Sequence, residues 1–289
     1  VTAVPPPPLV TWLYVPGDRP DRFAKAMASG ADAVILDLED AVLAPHKDTA
    51  RREVARFLAD LPPAGPDRPA VHVRVNAPRG AHGARDLDAL AGGARPDAVR
   101  VPKVEGPDDV DLVVGRLGAG TVVHCLLESA RGVQNAAAVA AHPAAGALAL
   151  GEADLAAEMH LRGDAAYTWL RAQTVLAAAA AGLPSPAMSA YIDVRDTDGL
   201  AASCAAGRDL GMFGRTAIHP RQLPVIRRAF TPGPDEVARA REIAAAAEDG
   251  AADGAGAVAL PDGRFVDAPV VVSALRTLAL ADRLGAGPA

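Results

Sequence analysis

The fold class this 289-residue sequence predicts is α/β, a (β/α)8 TIM barrel of eight parallel strands each leading into a helix. Three observations carry that expectation. Short runs of strand length alternate with helical stretches eight times before residue 230, and a barrel of roughly 250 residues needs eight such units. The runs are often apolar throughout, as parallel strands covered on both faces must be. The first strand-to-helix turn reads Val15-Pro16-Gly17-Asp18-Arg19-Pro20. It lacks the glycine-rich phosphate turn usual in the alternative fold, an open doubly wound sheet.

Taken in order, residues 1–9 are a Pro-rich lead-in, because Pro5, Pro6, Pro7 and Pro8 exclude helix. Residues 10–15 are the first strand, after which Asp18 is placed to cap a helix with Pro20 in its first turn. Residues 33–38 form the second strand, running into the acidic cluster Asp37, Glu39 and Asp40, and residues 47–61 the helix behind it. The third and fourth strands are 70–76 and 98–103, with helices expected at 86–91 and 108–117. Residues 122–127 and 147–150 are apolar runs joined by an Ala-rich helix, which makes them neighbouring parallel strands under the right-handed crossover rule. A long Ala- and Leu-rich helix covers 164–181. Strands at 187–192 and 211–218, with helices at 197–210 and 220–229, complete a catalytic barrel domain over residues 10–230. Beyond Thr231-Pro232-Gly233-Pro234 come a helix (235–249), a Gly-rich link, a hairpin about Pro261-Asp262-Gly263 and a last helix (268–284). A closed ring has no room for them, so residues 231–289 are expected outside it, as a lid or an arm onto another subunit.

Composition narrows the function. Half the residues are apolar but only 3% are aromatic, so Ala, Val and Leu must build the core. A net charge of −6 argues against nucleic acid or a membrane surface as partner, and any anionic ligand must find a local basic patch. Cys125 and Cys204 match no metal or redox spacing and read as buried, inert thiols, which suits a cytoplasmic location. No signal-peptide pattern and no apolar run near ~18 residues is present, which points to a soluble protein.

In a barrel the chemistry sits at the C-terminal ends of the strands. Glu128 closes the fifth strand and Asp154 follows the sixth, both emerging from apolar sequence. Two carboxylates side by side there suggest an oxygen-bound divalent cation, most simply Mg2+; the bland alternative is a pair of helix caps. Period-2 geometry puts Asp37 and Glu39 on one face of the second strand end, and His72, Arg74 and Asn76 on one face of the third. Lys103 ends the fourth. Arg74 offers a donor fork for a developing anion, against the alternative of an Arg74–Asp37 pair that only serves the core. Arg19 and Lys25 in the first helix are either solvated surface charge or a weak phosphate site. His72 and His219 read as packed core residues.

The successive blocks LYVPGDRPDRFAKA, AVILDLEDAV, VHVRVN, VRVPKVE, LLESARGV, LGEADL and GRTAIHPRQL, with DGRFVDAPVV near the C-terminus, span nearly the whole chain. In their content and order they resemble the citrate lyase β-subunit-like branch of the HpcH/HpaI aldolase superfamily. The resemblance implies a magnesium-dependent carbon–carbon lyase acting on 3-hydroxyacyl-CoA thioesters of the malyl-CoA or citramalyl-CoA type. It implies Glu128 and Asp154 as metal ligands, Arg74 at the reacting oxygen, and Asp37 and Glu39 behind it. It implies Asp267 as a group reaching the site of a neighbouring subunit in a homotrimer or a multiple of one. The amides of Gly151, Glu152, Ala153 and Asp154 would hold the keto-acid carboxylate, Lys103 would bind substrate, and Arg19 and Lys25 would meet the coenzyme A portion of the substrate. A malyl-CoA thioesterase, a free-acid pyruvate aldolase and an acyl-carrier-dependent subunit of a larger lyase complex are the competing expectations.

Overall fold

The structure, a computed structural model, describes residues 8–93, 95–252, 257–260 and 263–285. The chain divides into two compact units, Leu9–Arg227 and a smaller one that holds the chain from Arg228 onwards. The larger unit carries a curled sheet of seven parallel strands. These are β1 (Thr11–Pro16), β2 (Ala33–Asp37), β3 (Ala70–Arg74), β4 (Ala98–Val101), β5 (Val123–Leu127), β6 (Ala145–Leu150) and β7 (Arg215–Ala217). Their order is β6-β5-β4-β3-β2-β1-β7. The helices between and after them are α1 (Phe23–Met27), α2 (Lys47–Ala59), α3 (Ala81–Ala91), α4 (Pro107–Leu117), α5 (Ala130–Gln134), α6 (Ala136–Ala140), α7 (Glu152–Met159), α8 (Thr168–Ala180), α9 (Thr197–Asp209) and α10 (Leu223–Phe230).

Strand burial explains the apolar runs. Every residue of β2 is buried, and Val34, Ile35 and Leu36 are fully so; each contributes about 1.5–3 kcal/mol of transfer free energy. Cys125 and Cys204 are buried free thiols as expected, and burial pushes Cys125 up to about 12.

The strand expected at residues 187–192 differs. It contributes only two isolated parallel bridges, Ala187 with Ala149 of β6 and Met188 with Arg215 of β7. Pro184 and Pro186 just before it have no backbone N–H to give a ladder. Met188 nevertheless donates its N–H to Gly214 O (2.9 Å) and accepts from Thr216 N (3.0 Å). Helix α3 starts earlier than expected, and the 164–181 helix begins as a 3-10 turn at Asp164–Tyr167. Two smaller expectations fail. Asp18 caps nothing and instead lies 3.1 Å from His46 Nδ1, because the next helix opens with a 3-10 turn at Pro20–Arg22 that has no side-chain cap. His219 is exposed and accepts from Arg221 N at 3.1 Å, capping a turn rather than filling the core.

The second unit contains α11 (Pro234–Ala252), the antiparallel pair β8 (Val258–Ala259) and β9 (Phe265–Val266), and α12 (Ala268–Arg283). The expected Gly-rich link, the residues Pro261 and Asp262 of the hairpin turn, and residues 1–7 of the lead-in lie outside the described residues. Among the described residues no helix is long and apolar enough to cross a membrane.

Candidate active site

The C-terminal ends of β2, β3 and β5 bring their charged residues together, as alternation along each strand requires. Asp37, the last residue of β2, is fully buried and takes a two-point grip from Arg74, the last residue of β3: Nε to Oδ1 at 2.7 Å and Nη2 to Oδ2 at 2.6 Å. Its remaining capacity goes to the N–H groups of Glu39 and Ala41. The Arg74–Asp37 pair therefore exists, but it borders a cavity rather than sitting in closed core. Arg74 Nη1 lies 2.8 Å from Glu39 Oε2, and the direction is poor enough that this buried oxygen accepts no hydrogen bond. Behind them Lys47 donates Nζ to the carbonyls of Leu38 and Glu39 and to Asn76 Oδ1, at 2.7–2.8 Å, fixing the turn after β2. Asn76 is thereby drawn toward α2 and α3, where Asp86 accepts from its N–H and side chain, and away from the face it was expected to share with Arg74.

Glu128, directly after β5, is 6% exposed. Its Oε2 accepts from Lys103 N at 3.1 Å. Lys103 holds a left-handed backbone (φ 55°), a conformation that costs a non-glycine residue about 1–2 kcal/mol. That backbone turns its N–H to Glu128, while its Nζ lies 3.9 Å from Glu39 and 4.0 Å from Asp154. One residue thus faces three carboxylates. Burial, then the charges of Glu39 and Asp154, push Glu128 up to about 8. Burial raises Glu39 as well, to about 7, with Arg74 opposing and Asp40 and Asp37 adding. For Arg74 burial works against the charge, but the hydrogen bonds and charge of Asp37 outweigh it and its pKa is raised.

Gly151 follows β6. A Cβ there would fall 2.3 Å from Glu128 Cγ, so the absence of a side chain is what lets Glu128 lie across this strand end. Gly151 gives its own N–H to Leu127 O. The amides without helical acceptors are those of Glu152, Ala153 and Asp154 in the first turn of α7. The Glu152 side chain is held away, gripped by buried Arg171 at 2.7 and 3.1 Å. These ends surround a cavity of about 540 Å3 lined by Asp37, Arg74, Glu128, Gly151, Glu152, Ala153 and Asp154.

Other expected residues stand apart. Arg19 is exposed and spends its guanidinium on Asp21 at 2.8 and 2.9 Å. Lys25 is exposed on α1. Asp267, in the second unit, caps α12 by accepting from Val270 N at 3.3 Å. Sequence reasoning missed Tyr14, Arg100, Tyr167, Met188 and Ser189, which also line the cavity. Only Arg100 carried a signal, a charge inside the apolar run Ala98-Val99-Arg100-Val101. The donor set is all oxygen: two carboxylates at neighbouring strand ends, one with an ionisation suppressed by burial and by its like-charged neighbours, beside a buried Glu39 oxygen lacking a donor. That set fits a small hard cation completed by water or substrate oxygens. Among the described residues no three His, Cys, Asp or Glu side chains form a metal cage by themselves.

Fold and site together define a parallel α/β protein with an acidic, arginine-bearing pocket at its strand ends. The chain belongs to the HpcH/HpaI aldolase/citrate lyase family, whose model matches residues 11–220. It is 37% identical to a (3S)-malyl-CoA thioesterase of Cereibacter sphaeroides over 282 residues, 96% of each chain. It is 38% identical to a citrate lyase subunit beta-like protein of Mycobacterium tuberculosis over 272 residues, covering 91% of this chain and 92% of the relative. The crystal structure of CitE from Mycobacterium tuberculosis in complex with magnesium, acetoacetate and coenzyme A superposes with a TM-score of 0.80 at 35% identity, over 96% of this chain and 98% of that one.

Proposed function

We propose that this protein is a magnesium-dependent lyase that cleaves a 3-hydroxyacyl-CoA thioester to acetyl-CoA and a 2-keto acid or glyoxylate. The observation that carries this reading is the placement of Glu128 and Asp154 in one cavity with Arg74, at the strand ends where ring-like α/β enzymes keep their chemistry. Glu128 and Asp154 would hold the metal, and Lys103 Nζ would give way to it. When bound, magnesium supplies Lewis-acid charge to the oxygen that becomes the keto group.

The chain's own residues account for the rest. The amides of Glu152, Ala153 and Asp154 bind the keto-acid carboxylate at the start of α7. Arg74, locked by Asp37, presents its remaining N–H donors to the thioester oxygen, where negative charge gathers as the C2–C3 bond breaks. Glu39 accepts the hydroxyl proton: it has an oxygen with no hydrogen bond and is pushed up to about 7, a value suited to a base near neutral pH. The electron pair of the C2–C3 bond passes to the thioester as an enolate, and a proton delivered to C2 yields acetyl-CoA. Asp267 of another copy of the chain is the proton donor in this reading, with residues 231–289 as the arm that carries it in a homotrimer. The bridges at Ala187 and Met188 serve as the eighth member of the ring.

A malyl-CoA thioesterase is the second reading, favoured by the 37% identical relatives of that name. Product analysis on malyl-CoA separates the two: acetyl-CoA with glyoxylate supports cleavage of carbon–carbon bonds, and free CoA with malate replaces it by thioester hydrolysis. For either, Asp154→Ala removes magnesium binding by calorimetry together with turnover; full activity in that variant refutes the metal assignment.

A further inference from the structure

Beneath Glu128 the cavity wall carries a cation that no described acid pairs with. Arg100 is 3% exposed on β4. Its register partners are Arg74 on β3 and His124 on β5, so no acid stands beside it in the sheet. Among the described residues it makes no ion pair, and its buried Nε has no hydrogen-bond acceptor. Two neutral histidines share this level of the interior: His72 and His124 stack edge to face with ring centroids 4.7 Å apart. Burial, with Arg100 adding, holds His72 down at about 3, and burial holds His124 well below its ordinary value. They can accept no charge and offer none. A desolvated, unpaired guanidinium is costly in a folded chain. The side most open to it is the cavity, where Leu126, Met188 and Ala149 form an otherwise apolar wall beside Thr216.

We propose that Arg100 is an anion subsite within the cavity, taking a second, distal carboxylate on the keto-acid half of the substrate. The inference rests on the reading of the pocket as a keto-acid site and adds a preference within it, for a keto half with a second carboxylate over glyoxylate or pyruvate. Arg100 is a specificity residue here: a fork of N–H donors matches a carboxylate at two points. A monocarboxylic keto acid leaves that fork unmet, and the unpaired donors then weigh against it.

The test uses the full chain with magnesium and titrates oxaloacetate, 2-oxoglutarate and pyruvate into the native protein, Arg100→Met and Arg100→Lys. The native chain is expected to bind one of the two dicarboxylic keto acids at least about tenfold tighter than pyruvate, the scale of a charged hydrogen bond. Arg100→Met erases that preference while keeping pyruvate affinity, and Arg100→Lys retains part of it. A native chain that binds the keto acids without preference, or a preference that survives Arg100→Met, overturns the proposal. A magnesium-free arm separates it from the function it rests on: malonate is expected to raise the melting temperature of the native chain and not that of Arg100→Met, whose ligand-free melting temperature is itself higher. Should no keto acid bind with magnesium while the malonate difference persists, the enzymatic reading fails and the anion subsite stands. Equal malonate effects in both chains remove the subsite.

Discussion

Single side chains decide whether this pocket can hold a cation. Gly151→Ala would place a Cβ 2.3 Å from Glu128 Cγ, an overlap that costs about 1–3 kcal/mol unless something moves. The flexible Glu128 side chain is the group that yields, so magnesium affinity should fall about 10–100-fold with only a small change in melting temperature; calorimetry and thermal denaturation check both. The pH dependence follows from the same residues. Glu39 and Glu128, at about 7 and about 8 against an ordinary 4.5, bind protons in the folded state that the unfolded chain has released. Their ionisation therefore costs stability as pH rises through that window. His72 and His124, held below 6.5, act in the opposite sense and cost stability as pH falls below 6.5. From pH 6.5 to 8 the two carboxylates outweigh what remains of the histidine titration. The metal-free protein should lose melting temperature over that range, and magnesium should restore more of it at pH 8 than at pH 6.5.

At the scale of elements, the starts of helices do two jobs. Ser129 caps α5 through Gly132 N immediately after Glu128, so the turn that ends β5 also aims the carboxylate. Asp267 caps α12, and the expected chemistry of that residue has to be separated from its cap. Asn caps as well as Asp, whereas Ala costs about 1 kcal/mol. Asp267→Asn should leave thermal stability unchanged and lower turnover at least about tenfold, as loss of a general acid does. If Asp267→Asn keeps full turnover, the aspartate is a cap and nothing more.

For the whole molecule, the consequence of Asp267 serving another copy's site is complementation. Asp267→Asn chains, slowed at least about tenfold, and Asp154→Ala chains, inactive alone, should exceed the sum of their separate turnovers when mixed and allowed to exchange subunits. No excess, with exchange shown by a mass-tagged chain, places each site within one subunit. The smaller unit from Arg228 onwards is the part of the chain this experiment tests.

The parallel strands, their order along the chain and the acidic strand ends were legible in the sequence, because burial on both faces enforces apolar runs and a period of two sends Asp37 and Arg74 to one side. The fate of the seventh expected strand was not: 187–192 has the composition of a strand, but after the prolines at 184 and 186 it makes only two bridges. Asn76 obeyed the alternation on paper, yet Lys47 and Asp86, 29 and 10 residues away in the chain, pull it off the shared face. Local pattern could not show that Glu128 lies over Gly151, that Lys103 turns left-handed to meet it, or that Arg100 is left without an anion. Spacing along one strand determines which way a side chain points. What it meets there depends on partners from other strands and helices, and those are brought together only when the chain closes on itself.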